Sequence, residues 1–355
     1  MRFRPRADLS AEMKKKILAL ILLFARHTGL FVLSRILTAR NLRILCYHGA
    51  ALNDENRFRP GLFMTGATFA TRMRFLADAG YPILPLGNAL EMLENSTLPR
   101  NATVITIDDG WYGTYKVHYP ILREYGFPAT LYVASYYLKN QTQVFNVALS
   151  YVLWKSGTRQ IDLSKLKRIL GDDALVDCVF SVEETYTRLS AAAESMEDAA
   201  ARQSLLREFC DIVGVDWRAL EADRLISFVC ANEAREMAAN GIDIQLHTHR
   251  HRFPDTGFDA ARVEIEDNRR FLAGIGKSEL RHFCYPSGIY SQASVAFLGK
   301  LNIESATTTN PGFNRKGAPS LELTRFLDSE SVSNLEFEAE LSGFFELIRR
   351  CGYRI

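Results

Sequence analysis

The stretch TVITIDDGWYGTY, residues 103–115, runs five strand-forming residues into two adjacent aspartates and a glycine. β-Branched side chains suit a pleated, buried surface, so 103–107 reads as a strand. Asp108-Asp109-Gly110 ends it, and an isolated Asp-Asp-Gly triplet is ordinary turn chemistry. Its meaning depends on what the rest of the chain brings to the same place.

Outward from this stretch, strand-like and helix-like runs alternate, the pattern of parallel strands joined by helical crossovers. LRILCYH (42–48) reads as a strand, and TFATRMRFLADAG (68–80) as a helix capped by Thr68, with Phe69, Met73 and Leu76 on one face and Gly80 as its stop. YPILPL (81–86) resumes strand, and ATLYVA (129–134), IDIQLH (242–247), RHFCYP (281–286), IESATTT (303–309) and SLELTRF (320–326) continue the series. NEAREMAANG, capped by Asn232 and stopped by Gly241, is the helix leading into 242–247. Seven or eight such units predict an α/β barrel with its functional residues at the carboxyl ends of the strands.

Between about 139 and 230 no equivalent strand run occurs. There SMEDAAARQSLLREFCDIVG reads as a helix with a capping box from Ser195 to Asp198 and an apolar stripe of Leu205, Leu206, Phe209, Ile212 and Val213. The expected organisation is an N-terminal amphipathic segment (1–41), a first barrel part (42–138), a helical insertion over one end of it (139–230), a second barrel part (231–330) and a C-terminal helix (331–355).

The polar residues fit this plan. Asp108 and Asp109 follow one strand, His247 follows 242–246, His48 follows 43–47, and YPSG (285–288) ends another, so a barrel would gather them on one rim. In HTHRH (247–251) two histidines four apart can present both imidazoles to one ion. Two imidazoles and a carboxylate suit a divalent transition metal with open positions. Neighbouring residues at a strand end point in different directions, so the second carboxylate of the pair can serve as a base toward an attacking water.

TIDDG and HTHRH, with ILCYHGA, FCYPSGIYS and TTTNPGFN, carry a family resemblance. The sequence resembles the polysaccharide deacetylases of carbohydrate esterase family 4, the NodB-homology domain, over roughly residues 42–330 apart from the insertion. The resemblance implies a distorted (β/α) barrel and metal-dependent hydrolysis of N-acetyl groups on amino sugars. It implies Asp108 as general base and Asp109, His247 and His251 as ligands of a divalent ion, with Zn2+ expected and Co2+ or Ni2+ as alternatives. The substrate it implies is an N-acetylated glycan or a lipid-linked sugar.

Two departures stand out. The family's arginine-bearing third motif is replaced by FCYPSG, which puts Cys284 and Ser287 in its place; a backbone N–H near Ser287 remains to stabilise an oxyanion. Arg325 either replaces the lost arginine or is a structural ion-pair residue. No histidine follows His282, so the C-terminal histidine that supplies the general acid is missing. His48 in CYHG takes that role by resemblance to the poly-β-1,6-N-acetylglucosamine deacetylase-like subset. Among the other candidates, His249 and Arg250 are expected to face substrate or solvent and His118 a helix surface. Trp111 and Tyr112 form either a sugar platform or packing. The alternatives are a deformylase or deacetylase of a lipid-linked sugar at the cytoplasmic membrane face, and a non-catalytic glycan-binding module.

The 43 basic and 41 acidic residues of the 355 leave a formal charge of +2, too balanced for a nucleic-acid footprint. Six cysteines, Cys46, Cys178, Cys210, Cys230, Cys284 and Cys351, show no C-x-x-C spacing, which excludes a zinc ribbon and fits a reducing compartment. Arg2, Arg4, Arg6 and Lys14–Lys16 precede ILALILLFA (17–25), interrupted by Arg26 and His27 before LFVLSRIL. This run is shorter than the roughly 20 apolar residues of a spanning helix. The expectation is an amphipathic helix, either on the cytoplasmic membrane surface or packed on the core; a secretory signal lacks a small-x-small cleavage pattern.

Overall fold

A computed structural model describes residues 9–166, 179–196, 198–254, 256–276 and 278–353. Residues 1–8, with Arg2, Arg4 and Arg6, and Cys178 lie outside them. The frame is a seven-stranded, all-parallel sheet: β1 (Arg43–Tyr47), β2 (Thr103–Ile107), β3 (Ala129–Val133), β4 (Ile242–Leu246), β5 (His282–Cys284), β6 (Ser305–Thr307) and β7 (Phe326–Leu327). Their order across the sheet is β6-β5-β4-β3-β2-β1-β7. Each of the first six strands therefore lies beside its predecessor, and the last crosses to the far edge. The segment before β7 touches both edges, because Leu323 bridges Thr307 of β6 while Phe326 and Leu327 pair with Leu45 and Cys46 of β1. The sheet is thus a curled, distorted (β/α) barrel of the NodB type.

The strands are almost wholly buried because both faces are covered. Leu45, Tyr47, Ile105, Ile107, Leu131, Val133, Ile244 and Leu246 join the large cluster shared with the surrounding helices. Residues of the opposite parity, such as Ile44, Val104, Tyr132 and Cys284, form a second cluster with Leu323. The period-two pleat puts Cys46, Thr106, Gln245 and Cys284 on this second face and aims the next such residue of each strand at the rim.

Some expected elements shift. YPILPL is not a strand: Pro82 and Pro85 lack N–H donors, a single bridge joins Ile83 to Thr103, and a helix starts at Leu86. The helix expected from 68 is Gly66–Asp78, capped by Thr65, whose hydroxyl accepts from the Thr68 N–H. Ser195 does not start a helix but ends Val182–Ser195; Asp198 alone caps Ala199–Val213. Asn232 lies inside Ala231–Ala239, whose cap is Cys230. The segment 320–326 is a 3-10 turn followed by β7 instead of one strand. Within 139–230 the helices are joined by a short antiparallel pair, Gln160–Asp162 with Val179–Ser181. Their apolar core takes in Phe63 and Trp111, so this region rests on the carboxyl end of the sheet.

At the N-terminus, α1 (Leu9–His27) and α2 (Leu30–Leu37) pack Leu22, Ala25 and Phe31 against Ala339 and Phe345. No single helix among the described residues is long and apolar enough to cross a membrane.

Candidate active site and metal centre

Register builds the rim. Tyr47 pairs with Ile107, Val133 with Leu246 and Leu246 with Phe283, so His48, Asp108, His247 and Cys284 come to one level. Asp109 then departs from the strand with φ 76°, and Thr248, His251 and Ser287 also have positive φ between 57° and 61°. Such backbone costs on the order of 1–3 kcal/mol per residue and persists where neighbours over-determine it. His48, Asp108, Asp109, His247, His251 and Ser287 all line one cavity of about 290 Å³. Arg59, Trp111, Val144 and Phe228 complete its walls.

Asp109 Oδ1 lies 3.1 Å from Nε2 of His247 and 3.1 Å from Nε2 of His251. Its other oxygen accepts a 2.7 Å hydrogen bond from the Trp111 indole. Nδ1 of His247 is 2.8 Å from the Cys284 carbonyl, to which it must donate, since a carbonyl only accepts. In the neutral ring this leaves the Nε2 lone pair aimed at a carboxylate oxygen, an acceptor facing an acceptor. A cation between them, or a proton on the ring, resolves the conflict. The donor set fits a divalent ion: one carboxylate and two imidazoles whose ligand atoms lie within 4.8 Å of one another. Burial raises the Asp109 carboxyl, but His247 and His251, donating to it when protonated, outweigh burial and hold the group well below its ordinary value.

Asp108 has a different environment. Arg325, fully buried, grips both of its oxygens at 2.8 and 2.7 Å and also donates to Thr106 Oγ1 and the Thr308 carbonyl. The Cys46 and Cys284 thiols lie 3.5 and 3.3 Å from Oδ2. Burial pushes the Asp108 carboxyl up, and the Arg325 guanidinium overrides it, holding the group far below the usual carboxylate range. The ion pair thus favours the ionised form of Asp108. Cys46, His48 and Asp108 also lie close enough to hold an ion, but the guanidinium on both carboxylate oxygens already supplies the positive charge there. The ion pair of Arg325 is thus with Asp108 itself, inside the cavity wall and not at the surface.

His48 is half-buried, with Nε2 3.9 Å from Asp108 Oδ2. It lies on the same side of the cavity as Asp108. Ser287 sits in the short turn Pro286–Gly288, where Gly288 has φ 66° and an added Cβ would meet Thr309 Oγ1 at 2.0 Å.

The expectation for His118 is corrected. His118 is not on a helix surface: it is fully buried in the π-helical turn Thr114–His118, stacked on Phe69 with ring centroids 4.1 Å apart. His249 bonds Ser135 at 2.8 Å, and Arg250 pairs with Glu264 at 2.7 Å. Tyr112 lies under the Arg224 guanidinium, while Trp111 packs on Phe228 and Phe63 as it orients Asp109. Asn268 escaped sequence reading: wholly buried, it accepts from the His247 N–H and donates to the Val133 carbonyl and Ser135. The available signal was an asparagine on the apolar face of Phe258–Leu272, in line with Ala261, Ile265 and Leu272.

Residues 212–306 match the family model for polysaccharide deacetylase. YxkH of Bacillus subtilis (strain 168), whose name places it provisionally among polysaccharide deacetylases, is 34% identical over 93 residues, 26% of this chain. That match spans 31% of YxkH. The Streptococcus pyogenes deacetylase PplD has a similar fold, with TM-score 0.56 and 18% identity over 86% of this chain and 99% of that one. IcaB from Ammonifex degensii gives 0.55 and 15% over 85% and 97%. The de-N-acetylase from Aggregatibacter actinomycetemcomitans gives 0.53 and 13% over 84% and 99%. The resemblance to the polysaccharide deacetylases, carried by TIDDG and HTHRH, thus extends from the motifs to a family match, a curated relative and the fold.

Proposed function

We propose that the chain is a metal-dependent carbohydrate N-deacetylase, removing acetyl groups from amino sugars in a glycan or glycan precursor. The observation that carries this reading is the division of two adjacent buried aspartates, Asp109 toward His247 and His251 and Asp108 toward Arg325, on one cavity wall. Asp109, His247 and His251 would hold the ion, with zinc expected from the mixed imidazole and carboxylate set. When bound, a divalent ion polarises the amide carbonyl and makes water nucleophilic near neutral pH.

The chain's own residues do the rest. Asp108, fixed by Arg325, accepts the proton of the attacking water; its low basicity limits the driving force, while its orientation costs nothing at the moment of reaction. The turn at Ser287 presents backbone to the carbonyl oxygen. His48, beside Asp108, delivers a proton to the departing amine, which leaves poorly without one. Acetate, found with PplD, is the second product.

The experiment is acetate release by the metal-loaded protein from free, polymeric and lipid-linked N-acetylated sugars. Release from any of them supports the reading, and the preferred class names the substrate. Glycan binding without release by the fully loaded protein would instead make it a binding module.

A further inference from the structure

We propose that α1 and α2 form a docking surface for an anionic lipid bilayer, lying in its interface and not crossing it. Sixteen large apolar side chains are exposed among the described residues, and eleven of them fall between Met13 and Leu37. Met13, Ile17, Leu20, Ile21 and Phe24 share one face of α1; Val32, Leu33, Ile36 and Leu37 extend the patch on α2. Patches of this kind mark interaction sites.

The charges select the occupant. At 3.6 residues per turn, Lys14 and Lys16 flank the α1 stripe at about 80° to either side. Lys15 and Arg40 are exposed as well. Basic residues flanking an apolar stripe are the arrangement that an anionic surface attracts. A second copy docked through this face would instead bring like charges together.

The helices are also held flat. The pair bends by 75° at Thr28-Gly29, where Gly29 has φ 79°. Their inner side is fastened to the domain: Arg26 pairs with Glu338 at 3.1 Å, and Arg35 donates to the Ala79 carbonyl at 2.6 Å and lies over the Tyr81 ring. Crossing the bilayer would strip away all of these contacts. Lying in the interface keeps them and buries the exposed face.

The test is co-sedimentation of the full chain with vesicles of phosphatidylcholine alone or mixed equally with phosphatidylglycerol. The mixed vesicles should bind at least about 10-fold more tightly, and less so in high salt. Leu20→Glu with Phe24→Glu should abolish binding, and Lys14, Lys15 and Lys16→Gln should weaken it at least about 10-fold on mixed vesicles. Unchanged circular dichroism and acetate release would establish that the variants fold. Equal binding to both vesicle types, or none to either, overturns the proposal. So does a dimer in light scattering that Leu20→Glu with Phe24→Glu dissociates.

Discussion

The two halves of the rim solve one electrostatic problem in different ways. Both bury a carboxylate that must stay ionised. In the Asp108 half the chain supplies a permanent cation, Arg325, in bidentate contact. In the Asp109 half it supplies two imidazoles, which carry charge only when protonated. The first half is electrostatically complete as folded, whereas the second is balanced only by a proton on a ring or by a cation. A base needs fixed orientation, and a metal site needs unused lone pairs; on the proposed reading, the difference divides the two tasks between residues adjacent in sequence.

The largest effect should come from opening the incomplete half. His247→Ala removes one of three ligands and should abolish stoichiometric metal binding and turnover together, read by elemental analysis and acetate release. Full metal occupancy in that variant would reassign the site. Asp108→Asn should retain the ion yet lose about 10²–10⁴-fold in turnover; loss of the ion instead would reverse the roles of the two aspartates.

Arg325→Met leaves Asp108 buried without its counter-charge and should destabilise the fold by about 3–5 kcal/mol in denaturant titration. The sign of its pH effect is fixed. In the wild type Asp108 is depressed, so its stabilisation is present above the unfolded value of about 4 and is lost only as pH falls through the lower folded value. Without Arg325, burial is opposed only by His48 and His247 and the carboxyl rises from its depressed value, so the pH–rate profile should gain an acid limb that the wild type lacks. Absence of a new limb in the variant would show that the ionisation of Asp108 does not control turnover.

His48→Ala should lose about 10²-fold on amides and much less on an activated aryl acetate, whose leaving group needs no proton. Equal losses would make His48 structural. The smallest effect is expected for Trp111→Phe, which keeps the packing on Phe228 but removes the hydrogen bond to Asp109. Metal affinity should fall about 10–100-fold in chelator competition while Asp108 is untouched.

The ligand half was the more legible in sequence. Asp109, His247 and His251 lie in two short motifs, and β2, β3 and β4 coincide with continuous β-rich runs, so their carboxyl ends could be located within a residue. The base half was harder to read because its parts are far apart: Arg325 lies 217 positions from Asp108. No local pattern distinguishes an arginine reaching that carboxylate from one paired at the surface. Asn268 was hidden for a related reason, as helical periodicity marks which face is buried but not what a polar residue there bonds. His118 was misplaced because a π-helical turn adds a residue to the register, rotating later side chains away from the 3.6-residue pattern.

The segment that carries Arg325 also fixes when the site can exist. Leu323 joins β6, Phe326 and Leu327 join β1, and Arg325 between them reaches Asp108. During synthesis, β1 through β6 can emerge and pair in succession, each beside its predecessor. Throughout that interval Asp108 has no guanidinium, and its carboxylate must remain hydrated. Closure of the ring and burial of the Asp108–Arg325 pair therefore depend on the same segment, the last of the sheet to be synthesised.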